Sequence, residues 1–100
     1  MVAIGYTSKG KRLEFDCSYG NLYCYSKDLV SLEIPVGVKK LYCDNNKLTE
    51  LLLPESVEWL YCNNNKITEL KIPKSVEWLR CDKEIKGLEE LIGEIKILLC

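Results

Sequence analysis

A mostly β fold of stacked, near-identical coils is predicted by three features of this sequence. Cys24, Cys43, Cys62, Cys81 and Cys100 follow one another at steps of 19 residues, and Leu22, Leu41, Leu60, Leu79 and Leu98 keep the same step two places earlier. Within a coil, alternation through Leu60-Tyr61-Cys62 fits a short strand with one face turned inward. Pro35, Pro54 and Pro73 occupy one slot of successive coils and hold the preceding residue in extended geometry, so the return limb is expected to be extended or a tight 3₁₀ turn, not a helix.

Taken in chain order, residues 1–18 read as a β-hairpin cap. Val2, Ile4 and Tyr6 alternate, Ser8-Lys9-Gly10-Lys11 supplies a turn, and Leu13, Phe15 and Cys17 alternate on the return. Residues 19–97 hold four repeats, with inward positions typified by Val57, Leu60, Cys62, Ile67, Leu70 and Ile72. Aligned backwards, Leu13-Glu14-Phe15 shares its register with Leu32-Glu33-Ile34, Leu51-Leu52-Leu53 and Leu70-Lys71-Ile72, so the pattern reaches into the cap. The last repeat lacks the proline, and the spacing from Lys86 to Gly93 is helix-like, so one or two helical turns are expected there. A final strand from Ile95 should end at residues 98–100, with Leu99 facing outward beside inward Leu98 and Cys100. Its open edge is a place for a second copy to pair, giving a homodimer.

One coil cannot offset the entropy of ordering its own backbone, so its strand must bond to neighbours and its leucines must stack on those above and below. The 100-residue chain leaves room for a single domain. Its 14 basic and 15 acidic side chains give a net charge of −1, a poor match for a polyanion such as nucleic acid. No apolar run approaches the ~20 residues of a spanning helix. The opening Met1-Val2-Ala3-Ile4-Gly5-Tyr6 lacks the regions of a signal peptide, so a soluble intracellular protein is expected, with no membrane partner.

The segment Val57-x-x-Leu60-x-Cys62-x-x-Asn65-x-Ile67 resembles the leucine-rich repeat signature, and Val38-x-x-Leu41-x-Cys43-x-x-Asn46-x-Leu48 matches it equally well. The resemblance covers about residues 19–100. The continuation Leu48-Thr49-Glu50-Leu51, then Pro54, then Ser56-Val57, is similar to the shortest repeat subclass, found in bacterial effectors and in repeat proteins of giant DNA viruses of amoebae. It implies a solenoid with a parallel concave sheet, and an asparagine ladder in which Asn46 and Asn65 bond backbone groups of the next coil. Lys27 and Glu84 stand in the ladder slots of the terminal coils, which therefore satisfy their turns in another way. The resemblance also implies work inside a host cell, in its cytoplasm or in a virion, by binding or blocking.

The chain contains no histidine, which removes the commonest general base and every Cys-His or Ser-His couple. Glu50, Glu58, Glu69 and Glu77 follow the repeat and mix with Lys39, Lys66, Lys71 and Lys74 as a solvated surface, so no enzyme is predicted. The cysteine row invites two readings. A metal or redox row is one, but a line of thiols is not tetrahedral and no C-x₂-C pair occurs. The preferred one is that cysteine is a small inert hydrophobe in the second apolar slot, with no metal and no cofactor; Cys17 lies outside the row and is turned inward by its alternation with Phe15.

Residues flanking the inward positions should line the concave face: Asn21, Tyr23 and Tyr25; Lys40, Tyr42 and Asp44; Trp59, Tyr61 and Asn63; Trp78, Arg80 and Asp82. Tyr23, Tyr42, Tyr61 and Arg80 form one column, and Trp59 and Trp78 another beside Lys40. Six of the nine aromatic residues thus fall on one surface, a composition typical of binding hot spots. A protein ligand on this face is the expected partner. Cross-strand stacking that merely stabilises the sheet is the plainer reading, though two tryptophans left in solvent would exceed its needs.

Overall fold

The computed structural model describes residues 1–86 and the backbone of residues 97–99. It is mostly β, and no described residue belongs to a helix. The strands are β1 (Val2–Thr7), β2 (Arg12–Asp16), β3 (Asn21–Tyr23), β4 (Leu29–Glu33), β5 (Lys40–Tyr42), β6 (Trp59–Tyr61), β7 (Trp78–Arg80) and β8 (Ile97–Leu99). They form a three-stranded antiparallel sheet of order β2-β1-β4 and a five-stranded parallel sheet of order β3-β5-β6-β7-β8.

The parallel sheet carries the 19-residue step directly into space. Leu22, Leu41, Leu60, Leu79 and Leu98 pair in register across all five strands. Leu22, Leu41, Leu60 and Leu79 are buried, as are Cys24, Cys43, Cys62 and Cys81 two residues on, so each coil adds one leucine and one thiol to a continuous core. On the return limbs Leu51, Leu70 and Ile72 are buried, with Leu32, Ile34 and Leu53 packed against them. Each proline opens a turn closed by a valine N–H: Val38 to Pro35, Val57 to Pro54 and Val76 to Pro73. The limbs after the second and third strands of the array are extended chain followed by this turn, as the proline slot requires.

The cap differs from expectation in two ways. The hairpin is present, its turn closed by the Thr7 N–H on the Lys11 carbonyl and the Gly10 N–H on the Thr7 carbonyl, with Gly10 at a φ of 83°. Its phase on β1 is reversed, however. Ala3 and Gly5 face the core, opposite Phe15 and Leu13, while Val2 and Tyr6 are exposed. A close approach by Leu29 explains this: a Cβ on Gly5 would lie 2.7 Å from Leu29 Cδ2 and 3.3 Å from Phe15 Cε2, so only the smallest residues fit. The second difference is that the first return limb is itself a strand. β4 pairs antiparallel with β1, with a bulge where Thr7 meets Leu29, and so ties the cap to the first coil.

At the other end the coil after β7 has a shortened turn. Ile85, not Lys86, fills the core slot of Leu48 and Ile67, and the Ile85 N–H closes a turn onto the Asp82 carbonyl. The turn is one residue shorter, yet Leu98 returns to register with Leu79. The helical turns expected up to Gly93, and the inward and outward positions of Leu98, Leu99 and Cys100, lie outside the described residues and side chains.

Candidate functional site

Positions either side of each core leucine emerge on the open face of the parallel sheet, because side chains on a strand alternate. In-register pairing then stacks like on like. Tyr23 lies parallel to Tyr42, with ring centroids 5.0 Å apart and planes 12° from coplanar. Tyr42 meets Tyr61 edge-on at 5.2 Å, and the Arg80 guanidinium lies 5.7 Å from the Tyr61 ring centre. In the second column Trp59 and Trp78 stack at 4.9 Å and 15°, with Lys40 Nζ 5.5 Å from the Trp59 ring centre. Trp59 also touches Tyr61 at 5.9 Å, so the two columns make one network.

Seven expected site residues are thus brought together: Tyr23, Lys40, Tyr42, Trp59, Tyr61, Trp78 and Arg80. Trp59 and Trp78 are half-buried and stacked on each other, which corrects the expectation that they are left in solvent and removes that argument against stacking as mere support of the sheet. Tyr42 and Tyr61 are half-buried too, whereas Tyr23, Lys40 and Arg80 are exposed. Burial and the neighbouring Tyr23 and Tyr61 hydroxyls raise the Tyr42 phenol above its ordinary value. Most ring faces are occupied by other rings or by the Lys40 and Arg80 cations, so the surface presents mainly ring edges. Trp59 Nε1 is buried and has no hydrogen-bond acceptor among the described residues.

Tyr25, Asp44 and Asn63 occupy the next row, towards the turns. Tyr25 is exposed and lies apart from the ring network. Asp44 and Asn63 serve the stacking of coils: their carbonyls accept the N–H of Ser26 and Asn45 one coil earlier. Asn21 is half-buried at the start of β3.

Below this row the asparagine ladder runs towards the preceding coil, not the next one as expected. Asn46 Oδ1 accepts the N–H groups of Lys27 and Leu29, and its Nδ2 donates to the carbonyls of Cys24, Cys43 and Asp44. Asn65 does likewise for Leu48 N–H and the Cys43 and Cys62 carbonyls. The backbone bonds around it run both ways, Ser26 and Asn45 donating forward to the Asp44 and Asn63 carbonyls, and Lys47 and Lys66 donating back to those of Leu29 and Leu48. Asp82 completes the ladder where Glu84 cannot, since its two carboxylate oxygens accept the Asn64 and Asn65 N–H groups at 2.8 and 3.1 Å.

Two further ladders escaped the sequence reading. Ser26, Asn45 and Asn64, again 19 apart, take φ of 53°, 57° and 57°, a conformation asparagine tolerates better than most residues, and Asn64 Nδ2 donates to Asn45 Oδ1. On the opposite side of the coil, Ser56 and Ser75 hydroxyls donate to the Val38 and Val57 carbonyls. The repeated Asn-Asn pairs and the recurrent serine were the available signals.

All five described cysteines are buried, and Cys17, Cys24 and Cys43 are free thiols. Burial, with smaller contributions from Asp44 and Cys17, pushes the Cys24 thiol up to about 12, and burial holds Cys43 well above its ordinary value. Neither is a thiolate at neutral pH, so neither is poised for nucleophilic or metal chemistry. No three described acidic, histidine or cysteine side chains converge as a metal site. Comparison with protein-family models, curated proteins and solved structures finds no match to this chain.

Proposed function

We propose that this chain is a leucine-rich repeat module that binds a protein ligand through the aromatic face of its parallel sheet and carries out no catalysis. The observation that supports this most is the joined network of Tyr23, Tyr42, Tyr61, Trp59 and Trp78 with Lys40 and Arg80. Mutual packing holds these side chains in place before any ligand arrives, which lowers the entropy cost of binding. Aromatic residues and arginine also dominate binding energy at protein interfaces. The resemblance to repeats of effectors and amoebal viruses extends the proposal to a binding or blocking role inside a host cell, in its cytoplasm or in a virion.

The test compares partners captured from an amoebal lysate by the unaltered protein and by a Tyr42→Ala, Trp59→Ala, Tyr61→Ala variant whose circular dichroism matches it. A partner lost only from the variant is the expected result. Equal recovery by both removes this face as the site, and loss of the folded spectrum assigns the rings to the scaffold. The second reading is self-association, favoured by the position of β8 as the outermost strand of the parallel sheet. It predicts that the protein itself is the partner recovered.

A further inference from the structure

We propose, on the basis of the aromatic-face reading above, that the ligand is an acidic segment of a protein, recognised through donors that this face leaves unmatched. Four observations converge on it. Lys40 and Arg80 form no ion pair among the described residues, where the salt bridges are Arg12–Glu14 and Lys47–Asp28. Both cations lie over aromatic rings, which holds them at the surface of the network. The two acids expected on this face are engaged with the protein itself: both Asp82 oxygens accept backbone N–H groups, and Asp44 accepts from the Asn45 amide. In formal charge Asp44 and Asp82 balance Lys40 and Arg80, but the acids spend hydrogen-bonding capacity on the protein itself, whereas both cations are left without an ion-pair partner among the described residues.

The fourth observation is Trp59 Nε1, a buried N–H with no acceptor among the described residues, lying in the ring that Lys40 covers. An indole nitrogen only donates, so the group that satisfies it must be an acceptor. Leaving it unmet is costly, and a carboxylate or carbonyl oxygen entering beside the flexible, exposed Lys40 chain relieves that cost. A carboxylate serves both groups at once.

Geometry and chemistry favour a protein segment over nucleic acid. Base recognition on a single strand uses open aromatic faces, and here Trp59 is covered by Lys40 and Trp78, while Tyr42 lies between Tyr23 and Tyr61. Lys40 on β5 and Arg80 on β7 are two strands apart and two residues apart along the strand, about 12 Å in all. An extended peptide spans that distance in about four residues and presents residues four apart on one side, so carboxylates four apart reach both cations.

A random peptide library displayed on phage, selected on the unaltered protein, tests this. The expected output is enriched in Asp and Glu about four positions apart. Its peptides bind less tightly as salt rises, and lose about tenfold in affinity to a Lys40→Gln, Arg80→Gln variant. A Lys40→Arg, Arg80→Lys variant retains most of the binding. Only two tryptophans are present, so the indole N–H signal absent from Trp59→Phe identifies Trp59, and that signal shifts on binding. Peptides without acidic enrichment, or held equally by the Gln variant yet lost from the Tyr42, Trp59, Tyr61 triple variant, overturn the acidic ligand and leave the binding face intact. Peptides held equally by both variants, or a selection that enriches nothing, overturn both. Tighter, face-dependent binding of an oligothymidylate overturns the protein ligand in favour of nucleic acid.

Discussion

A single asparagine per coil does much of the work of joining one coil to the one before it. Asn46 is 8% exposed and closes five hydrogen bonds, to two N–H groups and three carbonyls. Replacing it by Ala takes this partner from the Lys27 and Leu29 N–H groups and the Cys24 carbonyl, while the Cys43 and Asp44 carbonyls keep the Asn65 amide and the Ser26 N–H. Each orphaned group costs about 1–3 kcal/mol before relaxation, so Asn46→Ala is expected to lose about 3 kcal/mol, read from the shift in urea midpoint. Asn65→Ala, at a half-buried site, is expected to lose less. The slot itself was visible in the sequence, because Asn46 and Asn65 stand at the same position of the signature. Its direction was not, since spacing is identical towards the next coil and the last. The same symmetry hid the role of Asp82, which looks like a surface acid in the sequence and caps the ladder in the structure.

Among the elements, the hairpin shows where pattern reasoning stops. Its existence was readable from turn chemistry at Ser8 to Lys11 and from two alternating runs. Its phase was not, because the larger apolar residues Val2, Ile4 and Tyr6 occupy the outer face while Ala3 and Gly5 take the inner one. What decides is Leu29, 24 residues beyond Gly5 and in contact only once β4 has joined β1. That pairing is non-local, and no periodicity within either segment announces it. Gly5→Ala is therefore expected to destabilise by about 1–3 kcal/mol through overpacking against Leu29 and Phe15, and Gly5→Val by more. Thermal unfolding measures both; a neutral Gly5→Val would show that the cap has room to shift. A second link secures the same corner: Asp28 accepts from the Ser8 hydroxyl and pairs with Lys47 Nζ at 2.7 Å, and these partners hold its carboxyl below the usual range.

Across the whole molecule, the 19-residue step foretold the register of every strand in the parallel sheet, because a stack buries equivalent residues only when equivalent residues coincide. The aromatic network was legible for the same reason, strand alternation and register together dictating which side chains meet. The shortened turn before Ile85 was not, since a one-residue deletion restored later leaves the step between Leu79 and Leu98 unchanged. The register also fixes how the cysteines respond to pH. An unfolded thiol ionises near its ordinary value of 9.0, whereas Cys24 keeps its proton to about 12 and Cys43 is held well above 9.0. Between those values the folded chain binds more protons than the unfolded one, so stability falls as pH rises from about 9 towards 12, with no such loss below about 8. Tyr42, raised above its ordinary 10.0, contributes with the same sign. The urea midpoint should therefore be level from about pH 6 to 8 and drop steeply above 9, and the drop should be shallower in a Cys24→Ala, Cys43→Ala variant. Modification by a thiol reagent at about pH 8, located by peptide mapping, should then reach Cys24, Cys43 and Cys62 at one common slow rate, since these fully buried thiols react only when the stack opens. Rapid reaction at any one of them in the folded protein would show that the coils open singly and that the ladder is not a continuous core.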